Sequence, residues 1–171
     1  MERAQISRFQ MFRGTHEAKI DEKGRLKLPA DFMKLVVDKN YGPTFFITSR
    51  DGKVAEIWPM PEWEKEEEKK AALPEDDQAK LTWLEFVNGW GGVAEIDKQD
   101  RLMLPRKIRD RFSLVNEEVD VTGFQKYLVV RSQKSAEERL TALQTPSSDS
   151  EKVMGIEEAK RILAAREAQK S

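Results

Sequence analysis

The chain has 171 residues, 39% of them hydrophobic and 36% charged, with a formal net charge of −1 and no cysteine. That length suits one ordinary domain or two small ones sharing a core. The absence of cysteine removes any disulfide framework, and no apolar run approaches the ~20 residues that a membrane helix needs. The opening residues lack the apolar segment of a secretory signal, so a cytoplasmic protein is expected. With the total charge near neutral, a nucleic-acid partner has to be sought in how the charge is distributed.

Self-similarity organises the chain. Ala18-Lys-Ile-Asp-Glu-Lys-Gly-Arg-Leu-Lys-Leu-Pro29 matches Ala94-Glu-Ile-Asp-Lys-Gln-Asp-Arg-Leu-Met-Leu-Pro105, 76 positions apart, with seven of twelve residues identical. The register continues into Phe32 and Val36, which are again apolar as Ile108 and Phe112. In the first copy an alternating stretch ends at Ile20, polar turn residues follow, and Arg25-Leu-Lys-Leu resumes the two-residue period, which predicts a short hairpin. Pro29 closes it where a helix can start. A strand pair is then predicted over 44–49 and 53–58, around Arg50-Asp51-Gly52.

Residues 61–77 carry eight acids against three bases, which predicts a solvated helix around Trp63. A second helix is predicted from Asp76, with Ala79, Trp83, Phe86 and Val87 on one apolar face and Trp90-Gly91-Gly92 as its end. The second copy then repeats hairpin, proline and helix, followed by strands over 118–122 and 126–131 around Gly123-Phe124-Gln125. Residues 146–150 read as a linker. Residues 157–170 read as an amphipathic helix, with Ser148 and Glu151 as a candidate capping box. The predicted module is therefore strand, turn, strand, helix, strand, turn, strand, present twice.

The inventory for catalysis is thin. His16 is the only histidine; without Cys/His clusters no zinc site is expected, and the acidic segment lacks the glycine and spacing of a calcium loop. No nucleophile elbow, phosphate-binding loop or dinucleotide fingerprint is present. Neither an enzyme nor a cofactor is expected, and His16 reads as a strand residue.

The repeated Asp-x-x-x-Arg carries more information. An aspartate at the end of a strand can accept hydrogen bonds from backbone N–H groups a few residues on and so fix a turn. Gly24 permits a positive φ in the first copy. The arginine four residues later can either close the loop on the aspartate or point outwards. Charge bears on the second option: residues 1–30 hold seven bases against four acids, and residues 97–111 hold six against three. Basic charge gathers around the two turns while the acidic segment between them balances the total.

Met11-Phe-Arg-Gly14, the Ile20-Asp-Glu-Lys-Gly-Arg-Leu-Lys-Leu-Pro29 pattern and its second copy ending at Pro105 resemble the MraZ family of bacterial transcriptional regulators, within the AbrB-like swapped-hairpin superfamily. The resemblance runs over about residues 11–143, including Trp58-Pro59 and Glu62-Trp63. It implies an α+β fold, a duplicated swapped-hairpin β-barrel core with peripheral helices, in which one chain imitates a dimer. It divides the chain into an N-terminal extension (1–10), a first repeat (11–60), an acidic helical linker (61–89), a second repeat (90–145), and a linker with a C-terminal helix (146–171).

The resemblance also implies double-stranded DNA as partner, nucleoid association, and ring-shaped homo-oligomers binding repeated promoter sites upstream of a division and cell-wall gene cluster. The motif arginines fall on Arg25 and Arg101, the aspartates on Asp21 and Asp97, and the Phe-Arg-Gly arginine on Arg13. Arg25 is expected to reach a base edge, with Lys23, Arg13 and Lys98 neutralising phosphates; Asp21, Gly24 and Asp97 shape the turns. Asp100 stands where the first copy has Gly24, which points to Arg25 as principal reader and Arg101 as helper. The competing reading is an oligomeric scaffold or partner-binding protein whose turns serve assembly.

Overall fold

The structure, a computed structural model, describes residues 11–145 and 153–170. The chain forms two compact units, Met1–Ser132 and Gln133–Ser171. In the first unit, strands β1 (Thr15–Lys19), β3 (Thr44–Thr48), β4 (Ala55–Pro59), β5 (Gly92–Glu95), β7 (Glu118–Phe124) and β8 (Tyr127–Ser132) make a six-stranded antiparallel sheet in the order β1-β7-β8-β4-β3-β5. A separate two-stranded ribbon pairs β2 (Arg25–Lys27) with β6 (Arg101–Met103). Among the described residues four helices complete the unit: α1 (Ala30–Asp38), α2 (Met60–Ala71), α3 (Gln78–Trp90) and α4 (Arg106–Phe112).

The pairing crosses between the two copies. β1 of the first copy pairs with β7 of the second, and β5 of the second pairs with β3 of the first. Exchanging the copies leaves the strand order unchanged, so the sequence repeat is also a repeat of topology. The predicted hairpins are corrected accordingly. β1 and β2 are joined by the turn and by a single bridge, Ile20 to Leu26, while their ladders are made with the other copy. Local sequence reveals that two strands flank a turn; which partner each takes depends on residues about 76 positions away.

The expected closed barrel is also corrected. Closure would require the edge strands β1 and β5 to pair with each other. Instead each edge strand runs through its Asp-to-Arg turn into the ribbon, so β2 and β6 satisfy one another and the six-stranded sheet stays open.

Both faces of the sheet centre are covered, which explains why β3 and β4 are buried at nearly every position rather than at alternate ones. Phe45, Ile47, Ala55, Ile57, Val119, Val121, Leu128 and Val130 point to one face, where Leu26, Leu28, Leu102 and Leu104 from the ribbon and Phe32, Leu35 and Ile108 from α1 and α4 form the main core. Phe46 and Trp58, displaced by one residue, point to the other face and meet Trp63 of α2 and Val87 of α3, as the two-residue period of a strand requires. Trp63 stacks between Phe46 and Trp83 at centroid distances of 4.7 and 5.5 Å.

The helix around Trp63 is therefore not wholly solvated as predicted. Its acidic flank faces water, but Trp63 is buried, and buried Glu62 accepts a 3.1 Å hydrogen bond from the Tyr41 hydroxyl. α3 begins close to the predicted position, with the Asp77 side chain accepting from the Lys80 N–H at 2.9 Å as an N-cap.

The second unit holds α5 (Gln133–Gln144) and α6 (Ile156–Gln169), which pack on each other. α5 was not foreseen: its stretch is polar with a weak apolar stripe, and it follows β8 as α2 follows β4 in the first copy. α6 lies where a C-terminal helix was predicted, with Gly155 as its N-cap residue. The predicted linker 146–150 and the capping box of Ser148 with Glu151 lie outside the described residues. No helix among the described residues is long and apolar enough to cross a membrane.

Candidate nucleic-acid interface

The two turns are built alike. Asp21 Oδ1 accepts from the Lys23 N–H at 3.0 Å and the Arg25 N–H at 2.9 Å, while Oδ2 accepts from Arg25 Nε at 2.8 Å. Asp97 does the same with Gln99 N–H at 2.8 Å, Arg101 N–H at 2.9 Å and Arg101 Nε at 2.8 Å. Backbone bonds close each loop, from Gly24 N–H to the Asp21 carbonyl and from Asp100 N–H to the Asp97 carbonyl. Both carboxyls are held below the ordinary aspartate range. For Asp21 the largest cause is the Arg25 backbone N–H; for Asp97 burial acts the other way and is outweighed by the hydrogen bonds from Arg101 and Gln99.

Gly24 has φ +88° and Asp100 has φ +60°. Aspartate tolerates the left-handed region better than most side chains, so the loss of glycine in the second copy leaves the turn's hydrogen bonds intact. The acid that holds Arg101 is Asp97 and not its neighbour Asp100, and the same aspartate position holds Arg25.

Closing the loop and pointing outwards turn out to be compatible. Each aspartate takes Nε alone, and among the described residues the terminal guanidinium nitrogens of Arg25 and Arg101 have no hydrogen-bond partner. Each arginine keeps 28% of its side-chain surface exposed. A guanidinium oriented through Nε loses little freedom when its outer nitrogens bind a ligand.

The ribbon brings the two arginines together. Its register places Arg25 opposite Met103, Leu26 opposite Leu102, and Lys27 opposite Arg101. Leu26 and Leu102 are fully buried, so alternation sends Arg25, Lys27, Arg101 and Met103 to the outer face. The turns sit at opposite ends of the ribbon, where Leu28 N–H donates to the Asp100 carbonyl at 2.8 Å and Leu104 N–H to the Gly24 carbonyl at 3.0 Å. Exposed Lys23 and Lys98 project from the two turns.

Arg13 is not part of this group. It precedes β1, whereas Asp21 follows it, so seven residues of largely extended chain lie between them, about 26 Å at the rise of a strand. It lines a cleft of about 230 Å³ with His16, Asp31, Phe32 and Lys34, and His16 Nε2 lies 3.4 Å from Asp31 Oδ2.

Two residues escaped the sequence reading. Lys27 shares the outer face with Arg25, and the alternation of Arg25-Leu-Lys-Leu was the signal that could have found it. Arg109 of α4 donates from Nη1 to the Lys23 carbonyl at 3.0 Å; with the two 86 positions apart, no local pattern announces that contact. Among the described residues, no group of three or more His, Asp or Glu side chains could hold a metal ion.

Fold and site together define a duplicated strand-and-helix protein whose two Asp-to-Arg turns frame one basic ribbon. Residues 11–85 match the family described as "MraZ protein, putative antitoxin-like". The chain is 48% identical over 130 residues to the transcriptional regulator MraZ of Acidobacterium capsulatum, covering 76% of this chain and 88% of the relative. It is 46% identical over 122 residues to that of Koribacter versatilis, covering 71% and 82%, and 30% identical over 124 residues to that of Halothermothrix orenii, covering 72% and 82%. The chain belongs to the MraZ family.

Proposed function

We propose that this chain is a non-enzymatic transcriptional regulator that lays the outer face of the β2–β6 ribbon and its flanking turns against double-stranded DNA. The observation that carries this reading is the common placement of Arg25 and Arg101 on one solvent-facing ribbon, each oriented by an aspartate through Nε with its terminal nitrogens open. A two-stranded ribbon fits the major groove, and guanidinium nitrogens pair with the O6 and N7 acceptors of guanine. Lys23, Lys27 and Lys98 are placed to neutralise phosphates, which fix position without reading sequence. Arg13, remote from the ribbon, would serve as an outlying backbone contact.

Strand exchange between the copies supports an AbrB-like, swapped-hairpin assignment in which residues 11–60 and 90–145 act as the two halves of a pseudo-dimer. One ribbon supplies few contacts and hence weak, salt-sensitive binding. A homo-oligomeric ring presenting several ribbons to repeated promoter sites, upstream of a division and cell-wall gene cluster, would gain avidity without new contacts. The protein would then be cytoplasmic and nucleoid-associated.

The competing scaffold reading needs Arg25 wholly enclosed in its ion pair; Arg25 does pair with Asp21, but 28% of its side chain stays exposed. The test is anisotropy of a labelled duplex from the region upstream of the chain's own reading frame, against a scrambled duplex, across a salt series. Preference for the native duplex, with affinity falling by about 0.9 powers of salt concentration for each phosphate neutralised, is the expected result. Equal, salt-independent binding of both duplexes would overturn the proposal.

A further inference from the structure

The two turns share their hydrogen bonds but not their surroundings. Over the first turn lies Arg109, a residue of the second copy's helix α4. Its Nη1 donates to the Lys23 carbonyl at 3.0 Å, and its Nε is buried without a partner. Gly24 is buried directly beneath it: a Cβ built there would collide with Cδ, Nη1 and Nε of Arg109. The absence of a side chain at position 24 is what leaves room for this guanidinium over the loop.

Under the repeat both members of the pair are changed, one in each copy. The residue 76 positions after Gly24 is Asp100, and the residue 76 positions before Arg109 is Met33. Methionine has no donor with which to tie a turn carbonyl, and aspartate adds a side chain and a negative charge at the site Gly24 leaves open. By the repeat, glycine with arginine at the first turn corresponds to aspartate with methionine at the second, two matched sets of equivalent positions.

We infer that Arg109 is a positioning residue that braces the first turn and, with Gly24, makes it the stronger DNA-binding turn of the two. Resting on the reading that the turns bind DNA, this assigns the difference between them to a contact reaching across the copies. The brace ties the carbonyl of Lys23 to a helix anchored in the main core by Ile108. Lys23 and Arg25 are then presented from a loop whose freedom is already restricted, and a preorganised contact gives more affinity than the same contact made by a mobile loop. Its guanidinium also adds a third base beside Lys23 and Arg25, whereas the second turn gains the carboxylate of Asp100.

The experiment compares wild type with Arg109→Met, Arg109→Lys, Gly24→Asp, the double variant Gly24→Asp/Arg109→Met, and Arg25→Ala, using the upstream duplex as probe and thermal melting as the control for folding. Arg109→Met is expected to weaken binding about tenfold, the scale of one lost hydrogen bond to a charged donor. Arg109→Lys, which can still donate to the Lys23 carbonyl, is expected to recover most of that loss. Gly24→Asp alone is expected to lower the melting temperature. Adding Arg109→Met, which installs at the first turn the pair that the repeat has at the second, should restore part of the melting temperature but not affinity. Wild-type binding by Arg109→Met beside a large loss in Arg25→Ala would overturn the inference and leave the DNA-binding reading standing. Equal losses in Arg109→Met and Arg109→Lys together with lowered melting would mark Arg109 as merely structural and overturn it too. Wild-type binding by Arg25→Ala would instead bring down the reading on which the inference rests.

Discussion

Lys27 of β2 and Arg101 of β6 are direct cross-strand partners on the outer face of the ribbon, so a base from each copy stands beside the other in solvent. Like charges directly opposite on a sheet are destabilising, and an opposite-charge pair contributes roughly 0.2–1 kcal/mol. Lys27→Glu should therefore raise stability by a few tenths of a kcal/mol while weakening DNA binding. Urea unfolding and anisotropy on the same preparation measure both. A variant that gains stability and loses binding marks the lysine as kept for its ligand at a cost to the fold.

The inner face of the ribbon should respond in the opposite sense. Leu26 and Leu102 are each 0% exposed and face each other in the ladder. Truncating Leu26 to alanine removes buried methyl groups from the core on which both copies depend, at a cost of about 2–5 kcal/mol. Chemical denaturation should show that loss for Leu26→Ala and for Leu102→Ala alike, since the two positions are equivalent under the repeat.

The turns carry a pH dependence whose sign follows from their hydrogen bonds. Asp21 and Asp97 both have carboxyl pKa values depressed in the folded protein from an ordinary value of 3.8. A depressed pKa contributes stability that is present above the unfolded value and is lost as pH falls through the folded one. The Nε–H signals of Arg25 and Arg101 in nitrogen-resolved NMR should persist down through the ordinary aspartate range and be lost only below it. In Asp21→Asn the Arg25 signal should already be altered at neutral pH, with no acid transition of its own.

On the far side of the sheet, Arg50 is clamped by Glu56 through bonds of 3.0 and 2.9 Å and lies over the rings of Trp58 and Tyr127 at 4.9 and 4.8 Å. Glu56 is 4% exposed. Glu56→Ala would leave a half-buried guanidinium without its counter-ion, costing about 2–3 kcal/mol. Since this cluster lies on the face of the sheet opposite the ribbon, affinity for DNA measured on the folded fraction should stay near wild type.

How far the sequence foretold this arrangement differs by level. The duplication, the two turns and most strand positions were legible, because a repeated motif and a two-residue period are local signals. Strand partners were not: nothing in Arg25-Leu-Lys-Leu says that it pairs with Arg101-Leu-Met rather than with the strand before it. The burial of Trp63 was hidden for a related reason, since a helix with eight acids nearby looks solvated until Phe46 and Trp58 are seen to need cover. The even choice between a closed ion pair and an outward arginine rested on treating the guanidinium as one unit. Its three nitrogens divide between the two roles.

The central claim is that both Asp-to-Arg turns act through one DNA-facing ribbon. Its most direct test is the affinity of Arg25→Ala, Arg101→Ala and the double variant for the upstream duplex, each checked by thermal melting. Binding should fall in both single variants, more in Arg25→Ala, and be lost in the double variant while the fold survives. Wild-type affinity in the double variant would contradict the account.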